Sequence, residues 1–402
     1  MAALIPKNTF AVAKRQSICA TGVAVQVCYY SDTPRIIKNP TTASLKRGTG
    51  GRSSYNGITC TIFGNTGFLG RYVINRLGKI GTQLILPTRG DMYDSMPYKV
   101  AGDLGQILFH PFDLRDEESI RRCVKYSNVV INLIGRDWET KNFTFNDVHI
   151  EGARTLARIA KESGVERFIH VSSAGANPNP TPMLLKNGSQ FMKTKWYGEQ
   201  AVKEEFPEAT IVRPGTIFGQ EDRFFKCFGH SWRTLFQSIP IWKKGEATEK
   251  QPLWAGDVAA GITALVNDPN TIGKTYQFLG PKRYKLSEIV DYLFRIMRKT
   301  PDLGFARTDV ETSYFFQLKV TINEKISPAW PMAYLHWEGL EKEATSDKYV
   351  KGMPGLEDLG VNPIEMETQA DWEMFLHKSN RHYKESLGEF DKPALPKTIP
   401  IF

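Results

Sequence analysis

The stretch Thr61-Ile-Phe-Gly-Asn-Thr-Gly-Phe-Leu-Gly70 constrains this chain more than any other. Gly64, Gly67 and Gly70 form a G-x-x-G-x-x-G run. The residues before it, Ile58 to Phe63, are β-branched and apolar, as a buried strand requires. Beyond it, Phe68, Leu69, Val73, Ile74 and Leu77 recur at helical spacing. A glycine run alone specifies a tight turn. Between a strand and a helix it specifies a turn whose backbone can approach a ligand, with free N–H groups and a positive dipole end to receive a diphosphate.

From Ile58 onward strands and helical patterns alternate, which predicts an α/β fold: a doubly wound parallel Rossmann sheet followed by a smaller C-terminal α/β domain. The second strand, Gln83 to Pro87, ends at Thr88-Arg89-Gly90. An acid at that strand end would accept from a ribose 2′-hydroxyl; a guanidinium forks onto a 2′-phosphate, which predicts NADP(H) rather than NAD(H). The third strand closes at Asp113-Leu114-Arg115-Asp116. Asp113 is placed to accept from an adenine amine, and Asp116 to cap the next helix. The fourth, Asn128 to Ile134, ends in Gly135, where the backbone can pass close to a cofactor. A helical pattern over Asn142–Ser163 carries His149, read as a packing or surface residue rather than a catalyst. A strand at Phe168–Ser173, a helix from Gln190 and a strand at Ala209–Gly215 complete the unit.

Charge bears on partners. The net charge is +9, but residues 1–52 hold eight basic residues and one acid, Asp32, or +7 of it, so the remainder is near neutral and predicts no nucleic-acid surface. Residues 1–35 read as a mitochondrial transit peptide, cut between Val27 and Ile36; the alternative is a disordered basic tail. Residues 36–57 are a basic, Gly/Ser-rich arm, either a solvated tether or a strap on a partner. The five cysteines have no metal-ligand spacing and suit a reduced compartment. No apolar run is long enough to span a bilayer.

Taken together, the glycine run, Asp113-Leu114, Ser172-Ser173, Lys195 with Glu199, and Arg213-Pro-Gly-Thr-Ile-Phe-Gly219 resemble the short-chain dehydrogenase/reductase superfamily, in its extended or atypical branch. In that family a Ser, a Tyr and a Lys do the chemistry, with the tyrosine one helical turn before the lysine. Here that position is Phe191, and Tyr197 lies on another face. Loss of a positioned general acid costs about 10²–10⁴ in rate.

Longer blocks narrow the resemblance: Gly48–Ser54, Asn65–Tyr72, Val129–Phe143, Phe168–Ser172, Phe218–Phe224 and Pro354–Gly360 are similar to the NADPH-binding accessory subunits of mitochondrial respiratory complex I. That resemblance implies a non-catalytic subunit on the matrix side of the inner membrane, near the arm junction, with other complex I subunits as partners. It implies NADPH held by Gly64, Asn65, Thr66, Gly67, Phe68, Leu69, Gly70, Arg89, Asp113, Leu114, Leu133, Ile134, Gly135, Ser172, Lys195, Pro214 and Ile217, with no catalytic residue and no metal. The alternative is an NADPH-dependent reductase acting on a carbonyl or sugar-nucleotide-like substrate. The expected organisation is a Rossmann domain over 58–220 and a smaller domain with an extended tail over 221–402, from which 250–280 returns to the sheet. Asp257 is expected to cap a helix. The aromatic stretch Ile326–Leu340 is divided between core and contact with a partner or lipid, and the tail from Phe390 is expected to lie extended.

Overall fold

The computed structural model describes residues 46–48, 50–299, 305–327 and 331–400. The expected transit peptide, half of the basic arm, and Pro328 and Trp330 of the aromatic stretch lie outside the described residues. In chain order the first half comprises β1 (Thr59–Phe63), α1 (Phe68–Lys79), β2 (Gln83–Thr88), β3 (Ile107–Pro111), α2 (Glu117–Val124), β4 (Val129–Asn132), α3 (Gly152–Glu162), β5 (Arg167–Val171), α4 (Gln190–Glu205) and β6 (Thr210–Pro214). The second half comprises β7 (Ile217–Phe218), α5 (Phe225–Gly229), β8 (Ser238–Ile241), β9 (Glu249–Lys250), β10 (Leu253–Trp254), α6 (Ala255–Asn267), β11 (Thr275–Phe278), β12 (Arg283–Lys285), α7 (Leu286–Ile296), β13 (Ala306–Asp309), α8 (Tyr314–Ile326), α9 (Trp337–Ala344), α10 (Met366–Glu373) and β14 (Thr398–Ile399).

Seven strands form one sheet in the order β11-β6-β5-β4-β1-β2-β3, every neighbouring pair parallel. The chain runs outward from β1 to β3, then crosses back to β4, so the direction of winding reverses between β1 and β4. Ligands bind outside the carboxyl ends of strands at such a switch point. Both faces of the sheet are covered, which explains why β1 is buried along its whole length. On one face Cys60 and Ile62 pack with Val73, Ile74 and Leu77 of α1 and Val258 and Ile262 of α6. On the other, Phe63, Val130 and Phe168 pack with Ile120, Leu156, Ala160 and Val202 from α2, α3 and α4.

A second apolar cluster joins Phe218, Phe225 and Phe228 to Ile239, Ile241, the inner face of α7 and Met366, Ala370 and Met374. A third joins Val310, Phe316 and Val320 to Leu335 and Leu340. The tail pairs β14 antiparallel to β12 of its own chain.

Local details depart from the periodicity. The helix expected from Asn142 starts later, as a π-helical turn over Asp147–Glu151 that runs into α3. A Cβ on Gly198 of α4 would stand 2.2 Å from His149 O, so the two helices cross backbone to backbone there. Asp257 does not cap its helix; its carboxylate accepts from Ile364 N at 2.7 Å and anchors the C-terminal segment instead. Asp116 does cap α2, accepting from Glu118 N at 3.1 Å. The described end of the arm folds back on its own chain: Arg47 and Tyr55 pair through two 2.9 Å backbone bonds, and Asn56 N donates to Gly81 O. Among the described residues no helix is long and apolar enough to cross a membrane, and no group of acids, histidines and cysteines is arranged to hold a metal.

Candidate functional site

The glycine turn sits at the switch point because nothing larger than hydrogen fits there. Gly64 has φ +81°, and a Cβ would come within 2.9 Å of Ile134 N, so β1 and β4 end in contact. A Cβ on Gly70 would come within 2.2 Å of Asn65 O, which presses the first turn of α1 onto the loop. Gly67 is different: it is exposed and extended, and it leaves open the space in front of the helix N-terminus. That space is one end of a cavity of about 290 Å³.

The cavity runs from Gly64, Gly67, Phe68, Leu69 and Gly70 past Leu133 and Gly135 to Ser172, Lys195, Phe191, Pro214 and Ile217. Lys195 lies on α4, buried, and its ammonium donates to Val171 O at 3.2 Å and Ile134 O at 3.4 Å. Val171 ends β5 and Ile134 lies two residues past the end of β4, so the charge sits at the carboxyl edge of the sheet. A Cβ on Gly135 would come within 2.9 Å of Lys195 Nζ; the glycine makes room for the ammonium. Burial pushes Lys195 down to about 8, against the opposing pull of Asp137. Glu199, one turn on and fully buried, takes Arg213 of β6 in a forked pair at 2.6 to 3.2 Å and fixes α4 to the sheet. Ser172 Oγ and Asn65 Nδ2 are buried and find no hydrogen-bond partner among the described residues. A glycine cradle, an ammonium at the strand ends and an unmatched buried hydroxyl fit a dinucleotide laid across the switch point.

Phe191 stands one turn before Lys195 and faces the cavity. It is 4% exposed and packs edge-on against His149, with ring centroids 5.3 Å apart, and against Phe145. His149 is a packing residue as expected: Nδ1 pairs with Thr194 Oγ1 at 2.9 Å, Nε2 accepts from Arg136 N at 3.3 Å, and burial holds it well below its usual pKa. Tyr197 is 41% exposed and is not part of the cavity wall.

The C-terminal half closes the opposite wall. Tyr334, Leu335, His336, Gly339, Leu340 and Lys342 line the cavity together with Asp137 and Arg223. Lys342 Nζ stands 4.7 Å from the Phe191 ring centroid. Asp137 meets Arg223 at 3.5 Å and Lys342 at 3.6 Å. Burial raises its pKa, but Lys342 and Arg223 outweigh burial and hold the carboxyl well below the usual range. The Arg223 guanidinium lies 4.7 Å from the Trp138 ring and 5.1 Å from that of Tyr334. The closing segment is tied down by two acids of α9. Glu341 accepts from Met183 N, Leu184 N and Leu185 N, and Glu338 from Ser189 Oγ, Gln190 N and Phe191 N. Glu338 thus supplies acceptors at the N-terminus of α4.

The aromatic stretch 326–340 is therefore split. Leu335 and His336 are buried cavity wall, whereas Ile326 ends an exposed apolar stripe on α8 formed with Tyr314, Phe315, Leu318 and Ile322.

Of the residues named from sequence, eleven wall the cavity: Gly64, Gly67, Phe68, Leu69, Gly70, Leu133, Gly135, Ser172, Lys195, Pro214 and Ile217. Asn65 is buried beneath the turn and Thr66 is exposed on it. Ile134 enters through its backbone, donating to Asn132 Oδ1 and accepting from Lys195. Arg89 lies outside the cavity, exposed at the end of β2, 5.6 Å from the Phe143 ring that Arg115 approaches at 4.4 Å. Asp113 is exposed and accepts from Arg115 N, and Leu114 packs where a Gly152 Cβ would stand. Sequence reasoning passed over Asp137, Arg223, His336 and Lys342 as site residues. Asp137 and Arg223 lie inside two of the blocks that carried the narrower resemblance; His336 and Lys342 had no motif to mark them.

With this geometry in view, comparison with known proteins is informative. Residues 60–278 match the NAD dependent epimerase/dehydratase family. The chain is 42% identical over 358 residues to NADH dehydrogenase [ubiquinone] 1 alpha subcomplex subunit 9, mitochondrial, of Mus musculus, covering 89% of each. It is 36% identical to the NADH-ubiquinone oxidoreductase 40 kDa subunit, mitochondrial, of Neurospora crassa, covering 84% of each. Among solved structures it is similar in fold to the NADPH-dependent quinone oxidoreductase QOR2 of Escherichia coli complexed with NADPH, with a TM-score of 0.57 at 14% identity, covering 78% of this chain and 99% of that one. The glycine turn at the switch point and the relatives matched along most of the chain lead to one assignment: this chain belongs to the family of mitochondrial NADH dehydrogenase [ubiquinone] 1 alpha subcomplex subunit 9, a branch of the NAD dependent epimerase/dehydratase family.

Proposed function

We propose that this chain is a non-catalytic accessory subunit of mitochondrial complex I, and that it holds NADPH as a structural ligand. The observation that carries the reading is Phe191, buried and ring-packed where a short-chain reductase places its phenol. A bound NADPH supplies a hydride; the position one helical turn before Lys195 offers a phenyl ring, with no phenol there to protonate an accepting oxygen. The residues that would hold the cofactor are those of the cavity wall, together with Arg89 and Arg115 outside it. Backbone N–H groups of the glycine turn would receive the diphosphate, Lys195 and Ser172 the nicotinamide ribose and ring, and Arg89 with Arg115 the 2′-phosphate. A ligand bound only by the native state stabilises it by about 2.7 kcal/mol at a hundred times its dissociation constant. This is the contribution to assembly that we assign to NADPH.

The subunit would lie on the matrix side of the inner membrane, near the arm junction. Its contact with neighbouring subunits is assigned to the stripe on α8, where Tyr314 is 81% and Ile326 74% exposed. The second reading, an NADPH-dependent reductase, is favoured by the retained Lys195 and Ser172. The two are separated by native electrophoresis of mitochondria followed by extraction and identification of the bound nucleotide. Co-migration with the assembled complex, with NADPH recovered, is the expected result. A free protein with substrate-dependent NADPH oxidation abolished by Lys195→Ala would overturn the reading.

A further inference from the structure

The end of the cavity beyond the glycine turn carries more positive than negative charge. Lys195, Arg223 and Lys342 face it, and Asp137 is the carboxylate set among them. Asp137 lies 3.5 Å from Arg223 and 3.6 Å from Lys342, so one carboxylate is shared by two cations. Lys195 meets carbonyl oxygens rather than an acid. Lys250 and Glu343 also line the cavity and are each paired: Lys250 meets Asp347 at 4.0 Å, and Arg233 meets Glu343 at 2.7 Å. The histidines packed around this end, His149, His170 and His336, are all pushed down by burial and add no charge near neutral pH. With Lys250 and Glu343 cancelling, the six charged groups that line the cavity sum to two positive charges.

That surplus has a consequence for a nicotinamide cofactor, and it rests on the NADP(H) reading above. The two redox states of the ring differ by one hydride: the oxidised pyridinium gains two electrons and a proton to become the reduced dihydropyridine, and its positive charge disappears. A cationic, partly desolvated pocket repels the oxidised ring and leaves the reduced ring unaffected. We infer that Lys342, acting with Lys195 and Arg223, sets the redox selectivity of this site, so that it retains the reduced cofactor and releases the oxidised one. Lys342 is the selective element open to testing. Lys195 sits at the core of the site and Arg223 is held between two aromatic rings, whereas the Lys342 side chain is 41% exposed and can change without emptying a packed space. It comes from α9, so the selectivity is supplied by the C-terminal half and not by the glycine turn.

The test is a pair of titrations on the full chain, NADPH followed by its own fluorescence and NADP⁺ by competition against it. The native protein should bind NADPH at least about tenfold more tightly than NADP⁺, and Lys342→Gln should lower that ratio by about threefold or more. Lys342→Arg, which keeps the charge, should retain the native ratio. Should Lys342→Gln fail to fold, the salt dependence of the native protein serves: the ratio should fall between about 0.05 M and about 0.5 M salt. Equal affinities in the native protein, a ratio unchanged in Lys342→Gln, or a ratio indifferent to salt would overturn the inference while leaving cofactor binding intact. Failure of both nucleotides to bind would remove the cofactor reading and the selectivity with it.

Discussion

Gly67→Val separates the cofactor from the fold. Gly67 has φ −76° and ψ 168°, an extended conformation open to any residue. A Cβ there would meet only Gly64 O, at 3.2 Å, so the backbone must give by a few tenths of an ångström. Stiffening the unfolded chain returns about 0.4–1 kcal/mol. The stability of the cofactor-free variant should therefore lie close to that of the native protein. The valine methyl groups, however, would occupy the space that Gly67 leaves at the helix N-terminus. The native protein at a hundred times its dissociation constant for NADPH should gain about 2.7 kcal/mol. At roughly 1.2 °C per kcal/mol for a chain of this size, its melting temperature should rise by about 3 °C. Thermal melts of both proteins with and without NADPH make the comparison. Gly70→Ala is the control for ordinary disruption, because its Cβ would stand 2.2 Å from Asn65 O and should cost more than about 3 kcal/mol without any ligand. A Gly67→Val protein that still gains the full shift, or a native protein that gains none, would refute the reasoning.

Other outcomes follow from the same geometry. Arg213→Ala leaves the fully buried Glu199 carboxylate without its partner and should cost about 3–5 kcal/mol in denaturant unfolding; a loss under about 1 kcal/mol would show that α4 is not fixed this way. Arg89→Ala should weaken NADPH by about 1.5–3 kcal/mol and leave NADH unchanged, and equal losses for both would remove the 2′-phosphate from Arg89. Because Lys195 is pushed down to about 8 by burial, an anionic cofactor favours its charged form, so NADPH affinity should be full below that value and fall as pH rises through it. For the cofactor-free protein the sign is reversed. Between about 8 and the usual 10.5 the folded state binds fewer protons than the unfolded chain, so stability should rise with pH; an affinity flat across this range would contradict the placement of the ammonium.

How much of this was legible beforehand differs from element to element. The β1–turn–α1 unit, the alternation of strands and helices and the missing phenol at Phe191 could be read directly, because each depends on residues close in the chain. Asp116 was legible as a cap for the same reason. Asp257 was misread as a cap because its partner, Ile364 N, is more than a hundred positions away. The stretch 326–340 could not be divided by composition, since an aromatic residue that walls a cavity and one that faces solvent are the same letter.

The sequence by itself determined the glycine turn, its strand and helix, the basic end of β2 and the absence of an acid before Lys195. These are local facts: a turn needs glycine where a Cβ would strike backbone, and a proton donor is present at a position or it is not. Only the tertiary structure decided what faces Lys195 across the cavity. Asp137 arrives from the loop after β4, Arg223 from the segment after β7 and Lys342 from α9, and their shared surplus of positive charge exists only where the chain brings them together. Coulomb interactions depend on distance in space and not along the chain. The candidate nucleotide site was therefore legible as an expectation in one decapeptide, while the charge proposed to choose between the cofactor's two redox states was not.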